Sequence, residues 1–163
     1  MNKNNIIIKN ILLPILIILC LIFIFYNSFK NAEQSRADSG RVVEIIEKVV
    51  DAVCQGNPPE KLDSFLVTAS RNVLRNYAHF LEFFILGILV MLYSSIYKTT
   101  ISKRLTATIF FCILIAIIDE IIQIFSPGRA FEFSDLIRDG AGSIIGSLLI
   151  LIVWKIQEKN KQS

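Results

Sequence analysis

The chain has 163 residues, enough for one domain of ordinary size. Hydrophobic residues make up 53% and charged residues 19%, with a mean hydropathy of +0.57. Soluble domains run at about 45–50% and about 25%, so a water-soluble globule of ordinary composition and a disordered tail are both excluded. Net charge is +3 with Lys and Arg scattered. No basic tract marks nucleic-acid binding, and Cys20, Cys54 and Cys112 form neither an even disulfide set nor a zinc spacing.

The first apolar block covers residues 10–29, uncharged and flanked by Lys9 and Lys30. About 20 apolar residues cross a bilayer once. The block is longer than the 7–15 residues or so of a signal-peptide core, and no small-x-small cleavage site follows it. It therefore reads as a span.

Next comes a more polar segment. Val42, Ile46, Val49 and Val53 repeat at helical spacing, widened by Val43, Ile45 and Val50. Arg41, Glu44, Lys48 and Asp51 occupy the opposite side, with Glu44 and Lys48 as a favourable i,i+4 pair. Gln55-Gly56-Asn57-Pro58-Pro59 stops this helix. A second short helix is expected from Glu60, with Leu62, Phe65, Leu66 and Ala69 on one face. The stripe serves either to pack the hairpin on the bundle or bilayer interface, or as a lid or docking surface.

Three further blocks of span length follow, at about residues 78–97, 105–125 and 136–154. Each holds ionisable groups near one end: His79 and Glu82, then Asp119 and Glu120, then Arg138 and Asp139. Four such blocks leave too little polar surface to cover them in water, which argues for membrane spans. Lys98, Lys103 and Arg104 crowd the loop after the second block; Lys155, Lys159 and Lys161 follow the fourth; Lys3 and Lys9 precede the first. By the positive-inside rule both termini and that loop are cytoplasmic, and the segment 30–75 lies outside. Nearly every intramembrane charge then falls in the outer leaflet, although none of them entered the orientation argument. The expected fold is all-α. Four transmembrane helices form an integral membrane bundle, with an extracytoplasmic amphipathic helical hairpin between the first and second spans. Residues 1–29 carry the cytoplasmic N-terminus and first span, 30–75 the hairpin, 76–154 a three-span core and 155–163 a cytoplasmic tail.

The polar residues have a pattern. Arg75, His79 and Glu82 share a helical face. Gln123 lies between Asp119 and Glu120 on another face, and Ser126-Pro127-Gly128-Arg129 is a turn carrying an Arg. Asp135, Arg138, Asp139 and Gly142 align on a third face, and Gly142 with Gly146 permits close helix approach. A charge at membrane depth costs about 2.5–3.5 kcal/mol on insertion scales, so a shared interior is expected. There Arg129 and Arg138 offset the carboxylates, and His79 is the pH-sensitive member. Three readings stay open: ion pairs that fix helix register, a site for an anionic or amphiphilic ligand held by Arg129, Arg138 and His79, and acid–base catalysis through His79 or a carboxylate. One His among several carboxylates could also hold a divalent metal, but no spacing demands it, and the residues do not specify a cofactor; there is no HExxH, P-loop or Ser or Cys with an obvious base beside it.

The stretches His79-Phe80-Leu81-Glu82-Phe83-Phe84-Ile85-Leu86-Gly87, Asp119-Glu120-Ile121-Ile122-Gln123, Pro127-Gly128-Arg129 and Asp135 through Asp139-Gly140-Ala141-Gly142 with Gly146, in that order, resemble the VanZ-like membrane proteins. The resemblance covers about residues 75–152. Many members carry Lys at the position of Asn76, Tyr at Phe83 and Asn at Asp139. The likeness implies a bacterial cytoplasmic-membrane protein, multi-pass, in a family whose founding member is associated with resistance to teicoplanin, an acylated glycopeptide acting outside the membrane. The ligand-binding set expected from this reading is His79, Glu82, Asp119, Glu120, Gln123, Arg129, Asp135, Arg138 and Asp139. The expected partners are membrane lipids and a lipid-linked or lipoglycopeptide ligand, and the runner-up is an intramembrane enzyme using the same residues. The oligomeric state is not indicated.

Overall fold

The computed structural model describes residues 8–53 and 60–162 and is helical almost throughout. A π-helical turn, Ile8–Leu12, leads into α1, Leu13–Phe29. Pro14 stands in the first turn of α1, directly after the π-helical turn. The chain then forms α2 (Ala32–Val53), α3 (Glu60–Ser94), α4 (Ile101–Ile124) and α5 (Phe133–Gln162). The stop at 55–59, Cys54 and the side chains of Arg75, Leu62, Phe65, Leu66 and Ala69 lie outside the described residues.

Among the described residues four helices are long and apolar enough to cross a membrane: Lys9–Phe29, Tyr77–Ser94, Ile101–Ile124 and Phe133–Asn160. These match the four expected blocks. Their boundaries differ in physically readable ways. The segment from Glu60, expected as a separate short helix, is the opening part of α3 and runs unbroken into the second span. Helix α4 begins at Ile101 rather than Leu105, because Thr100 in extended backbone starts the helix and takes Lys103 and Arg104 into its first turn. There Arg104 Nη2 donates to the carbonyl of Tyr97 at 2.7 Å. Helix α5 continues past Trp154 to Gln162, so most of the expected tail is helical.

The interior apolar cluster is small: Ile24, Phe83, Leu86, Cys112, Ile115 and Ala116. Much larger apolar surface faces outward, including Ile18, Ile22, Phe23, Phe110, Ile121, Ile145 and Ile152. In water such a surface is a liability, and in lipid it is the required exterior. With little hydrophobic drive between helices in lipid, close packing must hold the bundle. That packing is densest between α3 and α5. A Cβ built on Gly142 would collide with the carbonyl oxygen of Phe80, and one on Gly146 with that of Phe84. Glycines here let the two backbones touch. On α2, the described part of the apolar stripe (Val42, Ile45, Val49 and Val53) is exposed rather than packed on the bundle.

Candidate functional site

At one end of the bundle polar side chains from three spans meet in its interior. Helix α3 supplies His79 and Glu82 in the first turns of its spanning part. Helix α4 supplies Asp119, Glu120 and Gln123 in its last turns, and α5 supplies Asp135, Arg138 and Asp139 in its first turns. Alternating helix direction puts all of these at the same end. Asp119, Glu120, Gln123 and Asp139 are fully buried, and His79, Glu82 and Asp135 nearly so.

The contacts fall into three groups. His79 Nδ1 faces Asp119 Oδ2 at 3.9 Å and Asp139 Oδ1 at 3.8 Å, joining three helices. Gln123 Nε2 donates to Asp119 Oδ2 at 2.9 Å and to Glu120 Oε1 at 3.1 Å, and the backbone N–H of Glu132 donates to Glu120 Oε2 at 2.9 Å. Arg138 donates to Asp135 on its own helix, one turn before Asp139. Gln123 therefore bridges the two α4 carboxyls as its spacing predicts.

The first span adds residues that sequence reasoning passed over. Asn27 Nδ2 donates to Glu82 Oε1 at 2.6 Å. The buried hydroxyl of Ser28 donates to Asp119. The only sequence signal was an Asn-Ser pair closing an otherwise apolar block, which reads equally well as a membrane-interface residue pair.

Ser126-Pro127-Gly128-Arg129 forms the expected turn, with Gly128 at φ 75°. It closes over the end of α1. The last carbonyls of a helix have no partner within it, and here Arg129 Nη1 donates to those of Asn27 (3.1 Å) and Ser28 (3.4 Å). Ser126 Oγ also donates to the Ser28 carbonyl at 2.8 Å, and the Ala32 N–H to the Pro127 carbonyl at 3.2 Å. A cation at a helix C-terminus also meets the favourable end of the dipole. Arg129 thus anchors the turn to α1 in addition to facing the site.

Beside this cluster runs a groove of about 750 Å³. Its apolar walls include Leu16, Phe23, Ile85 and Leu89, and its polar end carries Asn27, Lys30, His79, Glu82 and Arg129. Asp38 and Val42 of α2 also line it. Lys30 donates to Asp38 Oδ2 at 2.7 Å and sits 4.8 Å from the centre of the Tyr26 ring. That hydrogen bond holds the Asp38 carboxyl below the ordinary carboxylate range. The volume falls within the roughly 300–1,000 Å³ of small-molecule sites. Of the nine residues expected from sequence, His79, Glu82 and Arg129 line the groove, while the other six stand behind it or along α5.

Among the described residues, His79, Asp119 and Asp139 also form a group whose donor atoms all lie within 4.8 Å of one another, a spacing compatible with a metal ion.

A family profile described as VanZ/LLP1 matches residues 13–154. That span takes in the first helix and α2 as well as the three-span core, and so covers well over half of the chain and every residue of the polar cluster. No curated protein and no solved structure matches the chain. The chain belongs to the VanZ/LLP1 family of membrane proteins.

Proposed function

We propose that this protein binds an amphiphilic, anionic cell-envelope ligand in the groove between α1, α2 and α3, in the outer leaflet of a bacterial cytoplasmic membrane. Binding there lowers susceptibility to teicoplanin-type lipoglycopeptides. The observation that carries this reading is the groove's own polarity: Leu16, Ile85 and Leu89 line its apolar length, while Lys30, His79 and Arg129 stand at its polar end beside Asn27 and Glu82. An acyl or prenyl chain suits the first part. A phosphate or carboxylate suits the second, where ionised acceptors gain the stronger, charge-assisted hydrogen bonds.

Orientation rests on charge. Lys98, Lys103 and Arg104 lie at the end of the bundle opposite the polar cluster, as do Lys9, Lys155 and Lys159. The positive-inside rule makes that end cytoplasmic. In this reading the carboxyls of Asp119, Glu120 and Asp139 set the geometry behind the groove, and Lys30 and Arg129 meet the ligand's anionic group.

Native mass spectrometry of the purified protein tests the reading, with a phosphorylated polyprenyl lipid against a zwitterionic phospholipid of similar chain length. Saturable binding of the anionic lipid alone is expected. Lys30→Gln should weaken it, and Ile85→Trp should block it by filling the apolar wall. Equal retention of both lipids by all three proteins would refute the proposal.

A further inference from the structure

We propose that His79, Asp119 and Asp139 form a binding site for one divalent transition-metal ion of the zinc or manganese class, inside the membrane where α3, α4 and α5 meet. The proposal is independent of what the groove binds.

The first argument is spacing. His79 Nδ1 lies 3.9 Å from Asp119 Oδ2 and 3.8 Å from Asp139 Oδ1. Both distances are too long for a hydrogen bond. Two ligands held on one tetrahedral zinc at about 2.0–2.2 Å are themselves about 3.4 Å apart. The two His79 separations are therefore within about half an ångström of that value, and all three donor atoms lie within 4.8 Å of one another, so a small closing movement brings them onto one ion.

The second argument is Asp139 itself. Its side chain is fully buried, and neither carboxyl oxygen accepts a hydrogen bond among the described residues. Buried polar groups are normally satisfied, and an exception calls for a reason such as an ion. One of those oxygens points at His79, the other donor of the trio. A cation placed there supplies the missing partner and offsets two carboxylates in a low-dielectric interior.

The third argument is the surrounding shell. Metal-bound carboxylates are themselves hydrogen-bonded, which fixes their orientation. Asp119 accepts from the buried Ser28 hydroxyl on one oxygen and from Gln123 Nε2 on the other, at 2.9 Å. His79 lines the groove, which gives an ion a path in. The donor set decides the class of metal. Calcium and magnesium prefer shells made of oxygen, whereas an imidazole nitrogen beside two carboxylates suits zinc or manganese. Three protein ligands also leave a coordination position for water or an anionic group.

The test uses the full chain, purified in detergent, stripped with chelator, dialysed against zinc or manganese and measured for retained metal. About one ion per chain is expected, with a metal-dependent rise in Tm. Asp139→Asn and His79→Gln should each weaken binding by at least tenfold, and Ser28→Ala by roughly 10- to 100-fold as an outer-shell change. X-ray absorption at the metal edge of the wild-type protein gives a readout that needs no variant: a shell of nitrogen and oxygen is expected. A wild-type chain that retains no metal, a shell containing sulfur, or undiminished affinity in both Asp139→Asn and His79→Gln would each overturn the proposal.

Discussion

Two glycines within one turn of α5, on different faces of the helix, give a controlled test of how the bundle is held together. Gly142 and Gly140 sit two residues apart in the same helix. A Cβ at Gly140 would meet nothing within 4 Å, whereas one at Gly142 would strike the Phe80 carbonyl oxygen and crowd the Phe84 nitrogen at 3.1 Å. Replacing either by Ala removes a helix-interior glycine, a gain of about 0.5–1 kcal/mol. This gain is common to both variants and cancels in their difference. What remains is the contact term. Backbone atoms of α3 cannot rotate away as a side chain can, so the helices must part. Overpacking of this kind costs about 1–3 kcal/mol. Gly142→Ala should therefore be less stable than Gly140→Ala by about 1–3 kcal/mol, a factor of about five to more than a hundred in the unfolding equilibrium. Reversible unfolding by SDS titration in mixed micelles, followed by helicity, reads the difference. Equal stability of the two variants, or Gly142→Ala the more stable, would refute the reasoning that α3 and α5 are in backbone contact.

Ser28→Ala removes a buried donor from Asp119 and should cost about 1–3 kcal/mol in the same assay; unchanged stability would exclude the Ser28–Asp119 contact. Asp38 has its pKa lowered by the hydrogen bond from Lys30, so the pair's small stabilisation is complete above the ordinary carboxylate range near pH 4 and is lost as pH falls through the depressed value. Lys30→Ala should move the Asp38 carboxyl back up toward the ordinary range, as followed by carbon NMR across an acid titration; no movement would exclude the contact.

The parts of the fold legible in the sequence are those with a strong one-dimensional signal. Four apolar blocks of span length are hard to mistake, and the Gly142 and Gly146 spacing announces a close helix approach that α3 fills. The cluster's charged members are also readable, because a charge inside an apolar block is costly enough to mark itself, whereas the uncharged Asn27 and Ser28 carry no such mark. The cluster's partnerships are less legible. The sequence offers Arg138 and Arg129 five carboxyls, Asp135 among them; in the described residues Arg138 pairs with Asp135 on its own helix, an i,i+3 pair that needs no neighbour. From sequence Arg129 reads as a ligand-facing cation; it also donates to the last carbonyls of α1, an end that no local pattern connects with a turn some hundred residues later. The segment at Glu60 continues into α3 without a break that the sequence marks, because hydropathy changes along it while helix propensity does not. The trio of His79, Asp119 and Asp139 comes from three helices, so no short spacing could flag it as a metal site.

The most direct measurement is susceptibility to teicoplanin and vancomycin in a Gram-positive host expressing this chain, beside His79→Ala and Arg129→Ala at matched membrane levels. The account predicts selective protection against teicoplanin from the wild-type protein and its loss in both variants. Wild-type protein present in the membrane without any protection, or variants that protect as well as wild type, would contradict it.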